Sequence, residues 1–362
     1  FYQIKLFEAD GSVEFHYGGW AASSDDSATI GMENYFASGG DCGPNCGNLN
    51  NERPPNNYRF VPCYNIWSGN ISTAWNNVNN WEPNRLPTDT INTIIPYRIN
   101  NPLVGSPGAT CSNLNVLSGA VFNTGSNTIT TADILNYGTI NAGSSHWYTK
   151  GDYHGGGTFN AGTSEVDFIG VYYAYIWGSP IFYDLDINKT NGTKTVLLSD
   201  VNVSRWVFTH SGDLDINGHT LTSNLCDIYG DNLINNTGTF ILTGNGPYFH
   251  DGSNYICSAG VIDSVDNIEF QIGSTETISG GTIYLEGDFT AYDGNFTPTG
   301  GAVVFDGSGS SYINGSPDFF DMSVAKDSDS TTYGHSDFTV TNSLNLVSGR
   351  FDPNDYTVTI GK

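Results

Sequence analysis

The chain has 362 residues and a formal charge of −25, with 44 glycines, 13% aromatic residues and only 14% charged ones. Plentiful aromatics at low charge density exclude a disordered chain, and the scarcity of Lys, Arg, Glu and Met argues against a helical one. The negative charge repels nucleic-acid phosphates and anionic membrane surfaces, while favouring solubility and divalent cations.

Gly, Asn, Thr, Ser, Tyr, Phe, Ile and Val dominate instead, and these are residues of strands and tight turns. An all-β protein is predicted, either as two domains or as one elongated solenoid. No run of eighteen apolar residues occurs, so no transmembrane helix and no integral membrane protein are expected.

Residues 1–62 read as a β-sandwich fragment. Tyr2–Phe7 and Val13–Tyr17 alternate with period two and are joined through Ala9-Asp10-Gly11, a hairpin signal. Ala28–Met32 and Tyr58–Val61 supply two further strands. The chain starts inside one alternating run and finishes inside another, Tyr356–Ile360, which predicts a segment of a larger protein. Cys42 and Cys46 lie in the turn-rich Asp-Cys-Gly-Pro-Asn-Cys-Gly, whereas Cys63, Cys111, Cys226 and Cys257 are isolated. All six are disulfide candidates of an exported protein, with buried free thiols as the alternative.

Residues 63–89 form a Trp-rich junction. Trp67, Trp75 and Trp81 stand among Asn and Pro, irregularly for a strand. They suit an aromatic plug over the open end of a solenoid. A carbohydrate-stacking platform is the functional alternative.

Residues 90–362 are repetitive. Tyr175-Ile176-Trp177-Gly178-Ser179-Pro180-Ile181-Phe182 recurs as Tyr312-Ile313-Asn314-Gly315-Ser316-Pro317-Asp318-Phe319, at an offset of 137 residues. The same offset superposes Val166, Phe168 and Gly170 on Val303, Phe305 and Gly307, and Asp184 and Lys189 on Asp321 and Lys326. The whole stretch 158–223 thereby matches 295–360. Shorter Ser-Gly and Gly-Thr-apolar turns recur inside it, at Gly138, Gly157, Gly238 and Gly281 among others. Short strands punctuated by Gly and Asn predict a β-solenoid (parallel β-helix) with turns of roughly twenty residues. A string of β-sandwich modules explains the long period but leaves the inner repeats unexplained.

The strings Gln3–Glu8, Val13–Gly18, Ala28–Gly31 and Tyr58–Phe60 resemble the last strands of a jelly-roll module. The stretch from Trp67 to Pro87 is similar to segments that open β-helical regions, and Cys111–Ala120 looks like a first turn. Together these resemble secreted cell-surface proteins of the Bacteroidota. The resemblance implies type IX secretion, an extracellular or cell-surface location and a role in adhesion or gliding. It also implies O-glycosylation at Asp-Ser/Thr-apolar or -Thr triplets, here at Ser27, Thr90, Ser264 and Ser330.

The function expected is a non-catalytic adhesin or structural filament component. Its partners would be other copies of itself, other surface proteins, or glycans. The alternative is a polysaccharide-binding or polysaccharide-degrading β-helix. Carboxylates are dispersed along the chain, and Asp184 and Lys189 recur at equivalent positions, which is a structural signature. No nucleophile elbow, phosphate loop or zinc-protease motif is present. No cofactor is expected. The candidate ion is calcium at Asp213, Asp215 and Asn217, where the order Asp-x-Asp-x-Asn-Gly opens a calcium loop. The twelfth position is Asn224 in place of the required Glu, and the same residues read equally as a strand with Leu214 and Ile216 inward.

Overall fold

Alternation sets the architecture. Along Tyr64–Trp67, Ile134–Asn136 and His146–Thr149 every second side chain is buried. Each of these segments lies parallel to a counterpart one turn away, so that inward residues stack on inward residues. The structure, a computed structural model, describes residues 64–361 except 293–295. Of residues 1–63 it describes only the strand backbones 2–6, 13–17, 29–30, 49–50 and 58–60.

From residue 64 the chain winds as a β-solenoid of about 13 turns. One face stacks Tyr64–Trp67, Asn92–Ile95, Leu114–Val116, Ile134–Asn136, Tyr153–Gly155, Ala174–Trp177, Lys194–Leu197 and Asp213–Asp215, with further strands beyond. A second face stacks Thr128–Thr131, His146–Thr149, Glu165–Gly170, Ile181–Lys189, Val201–Ser211 and Thr220–Ile228 before continuing as paired shorter strands. A short third face stacks Val121–Asn123, Thr139–Asn141 and Thr158–Asn160. Register partners lie between 18 residues apart, at Thr128 and His146, and 24, at Phe289 and Ile313. The predicted turn length is therefore met. No α-helix occurs among the described residues, and no helix there is long and apolar enough to cross a membrane.

The interior is an apolar column. Phe122, Trp147, Phe159 and Phe182 follow one another with centroids 5.5–6.1 Å apart, and Phe270, Phe289, Phe319 and Phe338 continue the pattern higher up. On the third face Asn160 donates to Asn141, and Asn141 to Asn123, each at 2.8 Å. That ladder satisfies amides which a strand otherwise leaves to water.

The first turn begins at Tyr64, inside the Trp-rich stretch, because Tyr64–Ile66 pair in parallel with Asn92–Ile94. Trp67, Trp75 and Trp81 pack together at 4.6–6.5 Å and are at most 3% exposed. The Trp67 indole donates to the Asn100 carbonyl and that of Trp81 to the Trp75 carbonyl. The plug is what the structure shows. The glycan-platform alternative is corrected, since rings without exposed faces cannot stack on a sugar.

The long repeat is a structural repeat. Phe168 and Phe305 are both fully buried. Bulges interrupt the register after Phe182 and after Phe319, and again after Ile187 and after Val324. Gly178 and Gly315 both take positive φ, and a Cβ there would fall 1.4 and 1.9 Å from a carbonyl oxygen of the turn below. Only glycine fits so close an approach. The following Ser179 and Ser316 each donate their backbone N–H to a serine hydroxyl at 2.9–3.0 Å. Lys189 and Lys326 are each 1% exposed and hand their ammonium protons to backbone carbonyls of Ile169 and Glu286.

Other expectations change. Cys111, Cys226 and Cys257 are buried free thiols, not disulfide partners. Each fills a small apolar space in the column, where free cysteine behaves as a hydrophobe. Cys42, Cys46 and Cys63 lie outside the described residues. Ser264 is fully buried with its hydroxyl donating to the Gly246 carbonyl, and Ser330 is 6% exposed and bonded to the Ser308 carbonyl. Neither offers a hydroxyl for O-glycosylation. Thr90 is exposed, and Ser27 lies outside the described residues. In residues 1–62, Tyr2–Leu6 pairs antiparallel with Val13–Tyr17, as the hairpin signal predicts, and Tyr58–Phe60 joins the same sheet.

Two outcomes test this packing. Phe168→Ala removes a ring from the column and should lower unfolding free energy by about 3–5 kcal/mol, read by urea denaturation. Burial pulls the Lys189 amine down to about 8, against an ordinary value of about 10.4 in the unfolded chain. Between these values the unfolded chain binds more protons than the folded one, so stability should rise with pH across that window. Lys189→Met should flatten the slope in denaturation measured at a series of alkaline pH values.

Candidate functional site

A residue that points outward on a solenoid is not needed to hold the coil, so outward positions are where function is found. The predicted calcium ligands come first. Asp213 and Asp215 sit on one outward row, with Leu214 and Ile216 buried between and beyond them. Asp215 meets the Lys194 ammonium at 2.9 Å and accepts from the Asn217 N–H. Asp213 accepts from both the backbone and the side chain of Asn232. The Asn217 amide turns away and donates to the Leu197 carbonyl. The three do not converge as an ion cage.

The first face instead carries an apolar patch around Ala174–Trp177. Trp177 is 51% exposed, with one face stacked on His154 at 3.9 Å. Val171, Tyr172 and Tyr173, in the connection leading into that strand, are 48–77% exposed, and Ile181 just beyond it is 54% exposed. The Lys194 ammonium lies 5.7 Å from the Tyr173 ring while holding Asp215. Sequence reading passed over these residues as part of the repeat.

The second face carries a row of carboxylates. Parallel register puts Glu165 beside Asp184, and Asp167 beside Asp186. The expectation of dispersed carboxylates is corrected here, because residues 19 apart in sequence become neighbours about 4.8 Å apart across the ladder. Each acid has a partner from an adjoining turn. Asp184 takes a two-point ion pair from Arg205, Asp186 meets His210 at 2.8 Å, Asp167 meets His146 at 2.9 Å, and Asp227 meets His250 at 3.0 Å. All four Asp are at most 8% exposed.

Burial pushes the Asp167 carboxyl up to about 6, against the opposing hydrogen bond from His146 and with a further rise from Asp186. Burial likewise raises Asp186, with His210 opposing it. Above the acids, Trp206, Phe208, His210, Tyr229 and His250 stack successively at 4.1–5.8 Å. The signal in the sequence was the doublet Glu165-x-Asp167 and Asp184-x-Asp186, visible once the turn length is known.

A family model described as a domain of unknown function (DUF8693) matches residues 66–183. That stretch runs from the Trp plug through His146, Glu165, Asp167 and Trp177. Neither a search of curated proteins nor one of solved structures returned a match.

The repeat separates scaffold from surface. Inward Val166, Phe168, Ile176 and Phe182 become Val303, Phe305, Ile313 and Phe319, all equally buried. Outward Val171, Tyr172, Tyr173, Trp177 and Ile181 become Ser308, Gly309, Ser310, Asn314 and Asp318. Glu165, Asp167 and Asp186 become Ala302, Val304 and Ser323. The second copy keeps Tyr312 for Tyr175 and stacks it on Tyr333 and His335, a smaller aromatic group. Where Arg205 serves Asp184, Asn342 donates to Asp321 at 2.7 Å.

That substitution predicts a graded response. Arg205→Ala leaves Asp184 buried without its cation and should cost about 1–3 kcal/mol. Arg205→Asn, copying the second repeat, should recover at least half of the loss, as read by urea denaturation of both variants.

Proposed function

We propose that the chain is a rigid, non-catalytic segment of an extracellular cell-surface protein of the adhesin type, and that the patch around Trp177 holds neutral glycan. One observation carries the reading. The fold is built twice with the same bulges, turns and buried residues, yet only the first copy places Val171, Tyr172, Tyr173, Trp177 and Ile181 in water. The second copy folds with Ser, Gly, Asn and Asp there, so the scaffold does not require the apolar set. Exposed contiguous apolar surface of this kind marks an interaction site.

Glycan fits the chemistry of the patch. An indole and several phenols offer flat apolar faces to the C–H face of a sugar ring, while His154, Asp213 and Asp215 on the same face supply hydroxyl partners. A charge of −25 repels acidic polysaccharides and so favours neutral ones. The non-catalytic reading follows from the acids of the second face, which are covered and engaged by Arg or His. The jelly-roll identity of residues 1–62, type IX secretion and Bacteroidota origin belong to the same proposal and rest on the resemblance of residues described above.

A panel of neutral and acidic glycans tests the reading with the intact chain. Trp177→Ala and Tyr173→Ala should each weaken retention on neutral glycans about three- to tenfold, as expected for loss of a stacked ring worth roughly 0.5–1.5 kcal/mol. Asn314→Ala, at the equivalent place in the second copy, should leave binding unchanged. Binding indifferent to both aromatic variants, or release of reducing ends from any glycan, would overturn the proposal. Self-association that Trp177→Ala abolishes, without glycan binding, would replace it by the filament reading.

A further inference from the structure

The geometry points to a divalent transition-metal site, of the Zn2+ or Mn2+ class, formed by His146, Glu165 and Asp167 on the second face. One ligand atom from each of these residues lies within 4.8 Å of the other two. The ladder creates the cluster. His146 is the register partner of Glu165, and Asp167 follows two residues on, so all three project from the same outward side of adjacent turns. Trp147, Val166 and Phe168, fully buried between them, hold both strands in place.

A second observation is independent of the clustering. Asp167 is 5% exposed, and its Oδ1 has no hydrogen-bond partner, while Oδ2 meets His146 Nε2 at 2.9 Å. A buried carboxylate oxygen left bare is costly, and such atoms ordinarily find a proton donor or a cation. The other acids of the row are served differently: Asp184 has both oxygens engaged by Arg205. Only His146 supplies a polar partner to Asp167, and an imidazole is itself a metal ligand.

The donor set decides the class of ion. Calcium and magnesium prefer oxygen alone, whereas one imidazole nitrogen with two carboxylate oxygens suits zinc or manganese. Two carboxylates neutralise the charge of a divalent ion, and Asp186, one turn on beside Asp167, adds attraction from outside the ligand set. The Tyr148 ring, stacked on the His146 imidazole at 4.4 Å, fixes its plane. His146 and Glu165 are half-buried, which leaves the remaining coordination positions to water. The second copy of the repeat has Thr282, Ala302 and Val304 at these places, so the scaffold stands without the ligands.

The test uses the intact chain and the metal alone. After loading with Zn2+ and desalting, the wild type should retain one equivalent by elemental analysis and show a raised melting temperature. His146→Ala and Asp167→Asn should each lower the affinity at least tenfold in calorimetry, with unchanged circular dichroism. His210→Ala, which removes the imidazole of the neighbouring Asp186 pair, should bind as the wild type does. Loading with Co2+ gives a second readout: its visible absorption should change in His146→Ala. Zn2+ binding equal in wild type and both ligand variants would overturn the proposal. So would no binding by the wild type, or a preference for Ca2+ over Zn2+ and Mn2+.

Discussion

Everything in residues 64–361 depends on stacking each inward side chain on the one a turn below. The backbone hydrogen bonds of a parallel ladder run between turns, so no turn closes its own bonds or buries its own apolar face. Only a column of matched turns does both. This explains why the interior reads Trp, Phe, Ile, Leu and Val with so little variation, and why Cys111, Cys226 and Cys257 are found there as small apolar fillers. It also explains the Trp plug. A column has an end, and Trp67, Trp75 and Trp81 cover the one where winding begins.

The same constraint frees the outside. A side chain that alternates outward meets only its neighbours above and below, so it can change while the column stands. The two copies of the long repeat demonstrate this freedom directly. Phe168 and Phe305 are interchangeable parts, whereas Asp167 and Val304, one residue earlier on the opposite face, belong to different chemistries. The first copy uses its outward positions for an aromatic patch and a row of acids with His or Arg partners. The second spends most of the same positions on small polar residues. Lys189 and Lys326 show the intermediate case, a polar group retained twice because each ammonium closes a backbone carbonyl.

The ladder also converts sequence distance into chemistry. Glu165 and His146 are far apart along the chain, and so are Asp167 and Asp186, yet each pair is in register. Bulges at Phe182 and Ile187 adjust the phase locally. His210 thereby reaches Asp186 across a shift in register. Small irregularities in an otherwise regular coil are what bring partners together on its second face.

The sequence by itself determined the all-β class, the turn length, the 137-residue repeat and the inward set, because alternation and Gly-rich turns are local signals. The equivalence of Phe168 with Phe305 and the inward orientation of Leu214 and Ile216 were legible for that reason. The fate of outward residues was not. Whether Trp67 caps or binds, whether Ser330 meets water, and whether dispersed acids meet one another all depend on which strand lies one turn away. Turns of 18 to 24 residues put register beyond any fixed period. Tertiary structure alone decided those contacts, since a shift of one residue turns every inward side chain outward.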